Sequence, residues 1–281
     1  MSKMQHDDSP CVDVLSVHKT YANGTQALAP VSLSVRAGEF VSLIGPSGCG
    51  KSTLLKMMAG LLAPTDGRIR WWRSDFGAVG QPGRQLAFVF QEPTLMPWCR
   101  VAANVRLPLD LAGVPAGESA PRVQAALERV GLGPYEQHYP RELSGGMQMR
   151  VSIARALVTQ PNLLLMDEPF GALDEITRNR LDEDMRQLCR ENNLTVVFVT
   201  HSVYEAAFLS DRVVVMAARP GRVHASYDIE QDCPRNAVYR TSDTFARHCT
   251  DLSALLYQAS LASGTGQEGT VPISAITRSA S

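Results

Sequence analysis

A glycine-rich segment that follows an apolar run has the composition needed to hold phosphate groups. The run Phe40–Ile44 leads directly into Gly45-Pro-Ser-Gly-Cys-Gly-Lys-Ser52, and the pattern then becomes helical over Thr53–Leu62. Glycines let the backbone turn tightly, so that successive N–H groups point at phosphate oxygens, and a helix start adds the positive end of its dipole. A strand, a G-x-x-x-x-G-K-S loop and a helix in this order predict a nucleotide-binding phosphate loop.

The side chains that close this loop supply a cation and oxygen ligands. Lys51 is expected to reach the β- and γ-phosphates, the Ser52 hydroxyl to hold Mg²⁺, and Thr53 to add a phosphate contact. The alternative is a glycine turn that only leads into a helix, and the flanking strand and helix disfavour it. The predicted nucleotide contacts are Gly45, Pro46, Ser47, Gly48, Cys49, Gly50, Lys51, Ser52 and Thr53.

Two acidic residues, Asp167 and Glu168, end a second apolar run that starts at Leu163. Charges at the end of a buried strand are costly unless they have a task. Asp167 is expected to meet the magnesium through water, and Glu168 to orient or deprotonate an attacking water. The alternative is a strand that ends in a solvated turn, and the phosphate loop makes that alternative the weaker one.

The elements that must position these residues alternate between strands and helices. Val31–Val35 alternates apolar and small polar residues, as a half-buried strand does, whereas Phe40–Ile44 is more continuously apolar, as in a strand covered on both faces. Leu163–Asp167 and Thr195–Thr200 are further buried-strand candidates, and a helical stretch over Glu175–Asn192 separates them. This alternation predicts an α/β fold with a largely parallel sheet.

A helical block lies between about residues 92 and 160. One helix is predicted around Val123, with Ser119 as its cap and Pro121 in its first turn, and another begins after Ser144-Gly-Gly146 and ends near Val158.

The pattern weakens beyond about residue 236. Phe245, Cys249, Leu252 and Leu256 are spaced to form one face of a terminal helix, and the small polar residues from about 263 onward predict disorder.

Composition excludes several classes of protein. The chain has 281 residues, 44% of them hydrophobic, and a formal net charge of -1, so it lacks the basic excess typical of nucleic-acid binding. Its apolar runs are too short to cross a bilayer, and its start lacks a signal-peptide core. The six scattered cysteines show no metal-ligand spacing. We therefore expect a cytoplasmic chain whose link to any membrane runs through a partner.

The segment Leu143-Ser-Gly-Gly-Met147 resembles the signature motif of ABC ATPases. The order of phosphate loop, Gln91, signature, Asp-Glu pair and His201 is also the order of that family. The resemblance covers roughly residues 11–230 and implies a P-loop NTPase core with a mainly parallel sheet, an N-terminal antiparallel β subdomain and an inserted α-helical subdomain. The predicted boundaries are 11–235 for the nucleotide-binding domain, about 92–160 for its helical subdomain, and 236–281 for a C-terminal helix and disordered tail.

The resemblance assigns roles that the individual residues do not establish. Tyr21 is similar to the aromatic that stacks on adenine, and His201 to the switch histidine near the γ-phosphate. Gln91 resembles the glutamine that senses Mg²⁺ and the water and links the site to a membrane partner. In the family, the signature caps the γ-phosphate of the opposite subunit in a head-to-tail dimer. The residues implied to act on the partner's ATP are Ser144, Gly145, Gly146 and Asp174.

Narrower matches are similar to the ATPases of nitrate, sulfonate and taurine importers, among them the segment from Gln91 to Trp98 and the segment Phe208–Met216. They imply a homodimer or a dimer with a paralogue, bound to two transmembrane permease subunits at the cytoplasmic face of the inner membrane, with an external solute-binding protein as an indirect partner. Leu95, Met96 and Trp98 are expected to help form the groove that receives a permease helix. Ser202 departs from the pattern, since Asp commonly follows the switch histidine.

Other functions remain as alternatives. A soluble ABC ATPase that acts on nucleic acid or ribosomes usually has fused cassettes or long coiled-coil inserts, and a P-loop kinase or GTPase leaves the signature and His201 unexplained. Intact Lys51, Asp167 and Glu168 argue against a nonhydrolysing structural partner. The sequence does not specify the transported solute. Because Cys49 lies beside Lys51 and a helix start, we also expect a lowered thiol pKa and ready alkylation from which ATP protects.

Overall fold

The computed structural model describes residues 10–171, 173–230 and 235–263. Nine strands occur in these ranges: β1 Pro10–Thr20, β2 Gln26–Arg36, β3 Phe40–Ile44, β4 Asp66–Trp71, β5 Leu86–Val89, β6 Leu163–Asp167, β7 Thr195–Val199, β8 Arg212–Ala217 and β9 Arg222–Asp228. Eight α-helices accompany them: α1 Lys51–Met58, α2 Val101–Leu111, α3 Ala116–Arg129, α4 Gly145–Leu157, α5 Glu175–Glu191, α6 Val203–Leu209, α7 Ala237–Arg240 and α8 Asp243–Ala262. Within the described ranges, no helix combines the length and the hydropathy that a membrane span requires.

The strands form two sheets of different kinds. A three-stranded antiparallel sheet has the order β2-β1-β4, and a six-stranded sheet has the order β5-β6-β7-β3-β8-β9. In the larger sheet only β9 runs antiparallel to its neighbour β8. The predicted largely parallel sheet is confirmed.

Both faces of the large sheet are covered, and alternate residues of each strand face opposite sides. On β6, Leu164 and Met166 belong to one buried apolar cluster, whereas Leu163 and Leu165 belong to the other. All five residues of β3, β6 and β7 are buried. Each fully buried Leu or Val contributes about 1.5–3 kcal/mol relative to exposure, so these strands form the stable centre of the domain.

Helices α2, α3 and α4 pack against one another beside β5. Helix α4 begins at Gly145, within two residues of the predicted start, and the Ser144 side chain caps it by accepting a hydrogen bond from the Met147 N–H. The predicted start of α3 is wrong: the helix begins at Ala116, and Ser119 is fully buried inside it, where its hydroxyl donates to the Ala116 carbonyl. Ser119 lies four residues after Pro115, the residue at the N-cap position, so its hydroxyl is too far along the helix to cap it.

Helix α8 packs against α6, β8 and β9. Its predicted apolar face is present, with Phe245, Cys249 and Leu252 buried and Leu256 partly buried. The same face buries His248, whose Nδ1 lies 2.8 Å from the Tyr227 hydroxyl. The predicted disordered tail lies outside the described residues, and the domain boundaries stay predictions.

The parallel strands end together at one edge of the large sheet. Leu43 of β3 and Asp167 of β6 both pair with Val199 of β7, and Val89 of β5 pairs with Met166. The residues just beyond these positions are therefore neighbours at the carboxyl edge, which is where ligands bind in open α/β sheets.

Candidate functional site

The loop between β3 and α1 adopts the tight path that its glycines predict. Gly48 and Gly50 have φ angles of +75° and +88°, which side-chain-bearing residues rarely adopt. A Cβ added at Gly50 would also lie 2.6 Å from Leu28 Cδ2, so the loop is packed closely on the start of β2. The backbone conformation and this contact together require glycine at position 50.

A second contact supports the same loop from the turn between β8 and β9. The Gly221 N–H donates to the Ala27 carbonyl at 3.0 Å, and the Ala29 N–H donates to the Gly221 carbonyl at 2.8 Å. A Cβ added at Gly221 would lie 2.1 Å from the Cys49 carbonyl oxygen. The loop is therefore held between the small sheet and the turn at Gly221.

The side chains at the start of α1 point into this loop and toward β6. The buried Lys51 donates from Nζ to the Gly45 carbonyl at 2.8 Å and to the Pro46 carbonyl at 3.3 Å. The Ser52 hydroxyl donates to Asp167 Oδ1 at 2.8 Å. The structure thus brings the cation, the hydroxyl and the first of the paired acids together.

The paired acids differ in their surroundings. Asp167 is 6% exposed, and burial raises the pKa of its carboxyl above the ordinary value, while the Ser52 hydrogen bond opposes that rise. Glu168 has a φ of +48°, a conformation that costs about 1–3 kcal/mol in a residue other than glycine. Its N–H donates to the Val199 carbonyl at 3.0 Å, and its Oε2 lies 3.4 Å from His201 Nδ1. Strained backbone of this kind is concentrated at functional sites.

Two further predicted residues lie at the border of this group. Gln91 is exposed and follows β5, two residues beyond Val89, and so lies at the same sheet edge as Glu168. Tyr21 is 41% exposed in the turn between β1 and β2, and its ring centroid lies 5.6 Å from Lys19 Nζ. Because the start of β2 contacts the loop at Gly50, this turn is on the loop side of the small sheet.

The residues implied to act on a partner's nucleotide form a separate group. Ser144, Gly145 and Gly146 line a cleft of about 550 Å³ together with Leu173 and Asp174. Asp174 caps α5 by accepting from the Thr177 N–H at 3.0 Å, and this hydrogen bond lowers the pKa of the Asp174 carboxyl. No residue of the phosphate loop lines this cleft. The phosphate loop and this cleft are therefore separate surfaces of the chain.

Sequence reasoning missed a buried polar group behind His201. Glu205 is 5% exposed, and its carboxylate accepts from the Thr200 hydroxyl and lies 3.3 Å from Arg178 Nε. A signal was present, because Ser202-Val-Tyr-Glu205 has the spacing of a helix capping box. Half of that box forms, since Ser202 caps Glu205 N–H at 3.3 Å, but the Glu205 side chain turns to Thr200 instead.

The prediction of a lowered thiol pKa at Cys49 is wrong. The side chain is fully buried, and desolvation raises its pKa more strongly than the Lys51 charge lowers it. Proximity to a cation lowers a thiol pKa only where the thiolate is also solvated or hydrogen-bonded well enough to offset burial.

We now expect Cys49 to react slowly with iodoacetamide at neutral pH, more slowly than the half-buried Cys99. The raised pKa and the lack of access both reduce the reactive thiolate. Mass mapping of peptides after a short labelling pulse measures the two rates in one sample, with urea-unfolded protein as the control for intrinsic reactivity. Equal rates for the two thiols in the folded protein would contradict this expectation.

Comparisons with known proteins agree on one family. Residues 28–171 match the model of the family described as ABC transporter. An aliphatic sulfonates import ATP-binding protein of Bacillus licheniformis is 44% identical over 221 residues, which are 79% of this chain and 83% of that protein. A taurine import ATP-binding protein of Rhizobium johnstonii is 47% identical over 210 residues, 75% of this chain and 79% of that protein. Among solved structures, this chain is similar to the ATP-binding cassette MJ0796, which was solved as a dimer in a post-hydrolysis state bound to ADP and Pi. The match has a TM-score of 0.70 and 33% sequence identity, and it covers 78% of this chain and 99% of the MJ0796 chain.

Proposed function

The chain belongs to the ABC transporter family as the ATP-binding, ATP-hydrolysing subunit of an importer, and we propose that it works as one half of a head-to-tail pair that energises uptake of a small solute with an anionic group. The solute class is nitrate-, sulfonate- or taurine-like. Two similar proteins are the ATP-binding proteins for import of aliphatic sulfonates and of taurine, and both of those solutes carry a sulfonate group.

The main support for this pairing is that the phosphate loop and the cleft at Ser144 are two separate surfaces of one chain. The phosphate loop at Gly45–Ser52 lies at the carboxyl edge of the large sheet, whereas Ser144 and Gly145 open onto the cleft beside Asp174. In a head-to-tail pair, the loop of each copy faces the Ser144 surface of the other copy. Each loop and the surface opposite it would hold one ATP between them, so the pair has two sites. ATP then bridges the two copies, and hydrolysis removes the bridge.

The donor atoms near Ser52 fit a magnesium ion. Mg²⁺ takes one or two protein oxygens and completes its shell with water and substrate phosphates. The Ser52 hydroxyl and the Gln91 side-chain oxygen would be such ligands, and the Asp167 carboxylate, 2.8 Å from the Ser52 hydroxyl, would reach the ion through a water. When bound, the ion would neutralise charge on the β- and γ-phosphates.

The groups around Glu168 suit hydrolysis of the terminal phosphate. Glu168 is proposed to orient a water and to accept its proton as the oxygen attacks the γ-phosphorus. His201, 3.4 Å from Glu168, is proposed to donate to the γ-phosphate oxygens. Lys51 and the loop N–H groups hold the phosphates, and Tyr21 stacks on the adenine. ADP and inorganic phosphate are the products.

The permease contact is proposed at the segment after β5. Trp98 is 74% exposed, while Leu95 and Met96 are half-buried beside it. An exposed indole next to apolar neighbours is typical of a protein interface. The proposal places two permease subunits here and the chain at the cytoplasmic face of the inner membrane as a peripheral subunit, with a solute-binding protein outside.

Complementation between two inactive variants tests the head-to-tail pairing. Lys51→Ala damages the loop surface, and Ser144→Arg blocks the opposite surface by bulk. A mixed dimer of the two has one fully intact site, so an equal mixture is expected to recover about a quarter of the parent ATPase rate if pairing is random. Phosphate release measures the rate, and differently tagged copies verify that mixed dimers form.

A mixture of Lys51→Ala with Glu168→Gln is the matched control. Both changes lie on the loop side, so each site of the mixed dimer contains one damaged group and activity stays low. Recovery in the control mixture, or none in the test mixture although mixed dimers form, would show that the two surfaces do not share a nucleotide.

A further inference from the structure

Glu205 is a buried carboxylate whose contacts surround the main chain of His201. The carboxylate accepts from the Thr200 hydroxyl, and the Thr200 oxygen in turn accepts from the Ser202 N–H at 2.9 Å. The Ser202 hydroxyl accepts from the Glu205 N–H at 3.3 Å. The residues on both sides of His201 are therefore bound to the same helix start. The His201 side chain itself stays 64% exposed, facing Glu168.

Arg178 connects this group to the surface beside the signature segment. Its Nε lies 3.3 Å from Glu205, and its Nη2 donates to the Leu173 carbonyl at 2.7 Å. Leu173 lines the same cleft as Asp174, and its side chain approaches Gly146 closely. One arginine thus touches both the carboxylate behind His201 and the backbone next to Asp174.

Packing alone does not explain an ion pair at this place. The Glu205 side chain is 6% exposed and that of Arg178 is 26% exposed, so both groups lose most of their water. Apolar residues of similar volume commonly serve stability as well as or better than a buried ion pair. The ion pair instead fixes the orientation of the groups that it binds, because the carboxylate and the guanidinium have directional hydrogen-bonding geometry.

We propose that Glu205 and Arg178 are positioning residues for His201, which hold its main chain relative to Glu168 and tie it to the Leu173–Asp174 segment. Neither residue touches the nucleotide. This inference rests on the proposed function, since it takes His201 to act on the γ-phosphate and Asp174 to face the partner subunit.

The effect of Glu205→Gln on its own and in a His201→Ala background tests this inference. In the parent, Glu205→Gln is expected to lower kcat between about tenfold and a hundredfold, the range that misplacement of an active group produces, with the KM for ATP unchanged. With His201→Ala, the same substitution should change kcat by less than about twofold, because residues that act through one another are not additive. Arg178→Met should show the same pattern.

Glu39→Gln is the matched control. Glu39 pairs with Arg212 at 2.7 Å, its side chain is 10% exposed, and it precedes β3 at the opposite end of the sheet from His201. The Glu39→Gln variant should lower the melting temperature as Glu205→Gln does, but it should retain the kcat of the parent. Arg178→Lys, which keeps the charge but cannot span both partners, provides the readout if Glu205→Gln does not fold.

A kcat equal to that of Glu39→Gln, or an equal fold-loss with and without His201, would overturn the inference. Failure of the proposed function would be seen separately, because the parent would then lack ATPase activity or the Lys51→Ala and Ser144→Arg mixture would not recover it.

Discussion

Glu168→Gln is expected to abolish ATP turnover while leaving ATP binding intact. The amide keeps the shape of the carboxylate and one acceptor oxygen but cannot accept a proton from water, and general-base catalysis contributes about 10²- to 10⁴-fold. The strained backbone at Glu168, with a φ of +48°, is set by its main chain and not by its carboxylate, so the site should keep its geometry. Phosphate release measures turnover, and a fluorescent ATP analogue measures affinity.

The same variant should accumulate as a dimer in ATP. If hydrolysis removes the bridge between the copies, a variant that binds but does not hydrolyse stays bridged, and light scattering should report twice the monomer mass with ATP and not with ADP. Glu191→Gln, a change of an exposed acid at the far end of α5, is the control and should behave as the parent. Hydrolysis by Glu168→Gln at the parent rate would show that another group orients the water.

Lys51→Ala is expected to weaken ATP binding by between about tenfold and a hundredfold, since a hydrogen bond to a charged group contributes about 1.5–3 kcal/mol. Lys51 is the cation that extends along the phosphate loop, and its Nζ already lies within the loop, 2.8 Å from the Gly45 carbonyl. Titration with a fluorescent ATP analogue in the presence of Mg²⁺ measures the affinity. A loss that is larger for ATP than for AMP would locate the lost contact at the β- and γ-phosphates.

Lys56→Ala is the matched control for this variant. Lys56 is on the same helix, one turn later, but is exposed to solvent. It should bind ATP nearly as the parent does. Equal affinities for Lys51→Ala and the parent, with both proteins folded by circular dichroism, would refute the assignment of Lys51 as the phosphate-binding cation.

The parts of this protein that the sequence predicts well are those where local pattern and chemistry agree. The apolar runs at β3, β6 and β7 form buried parallel strands, and the glycine loop and Ser144 begin helices as predicted. The predicted ABC ATPase fold is confirmed. Because parallel strands end at one edge, the order of motifs along the chain was enough to place Lys51, Asp167 and Glu168 near one another.

The failures occur where tertiary burial overrides local preference. Ser119 has a typical capping residue type, but α3 begins one turn earlier and buries its hydroxyl. Cys49 lies beside a cation, but packing behind the loop excludes the water that a thiolate needs. Glu205 has capping-box spacing, but its side chain is bound by Thr200, just before α6, and by Arg178 on α5. The pattern of the segment around Glu205 does not contain Arg178.

The contact at Gly221 has a consequence for the distance between the phosphate loop and Tyr21. Gly221 bridges to Leu28 of the small sheet and lies directly behind the Cys49 carbonyl. The two sheets therefore cannot slide past each other without displacing the phosphate loop. Tyr21, the residue proposed to stack on the base, follows β1 of the small sheet. The distance between its backbone and the phosphate loop is therefore fixed by the packing of the two sheets. On that assignment, a fixed spacing would favour nucleotides whose base and phosphates are far enough apart to reach both the ring and the loop.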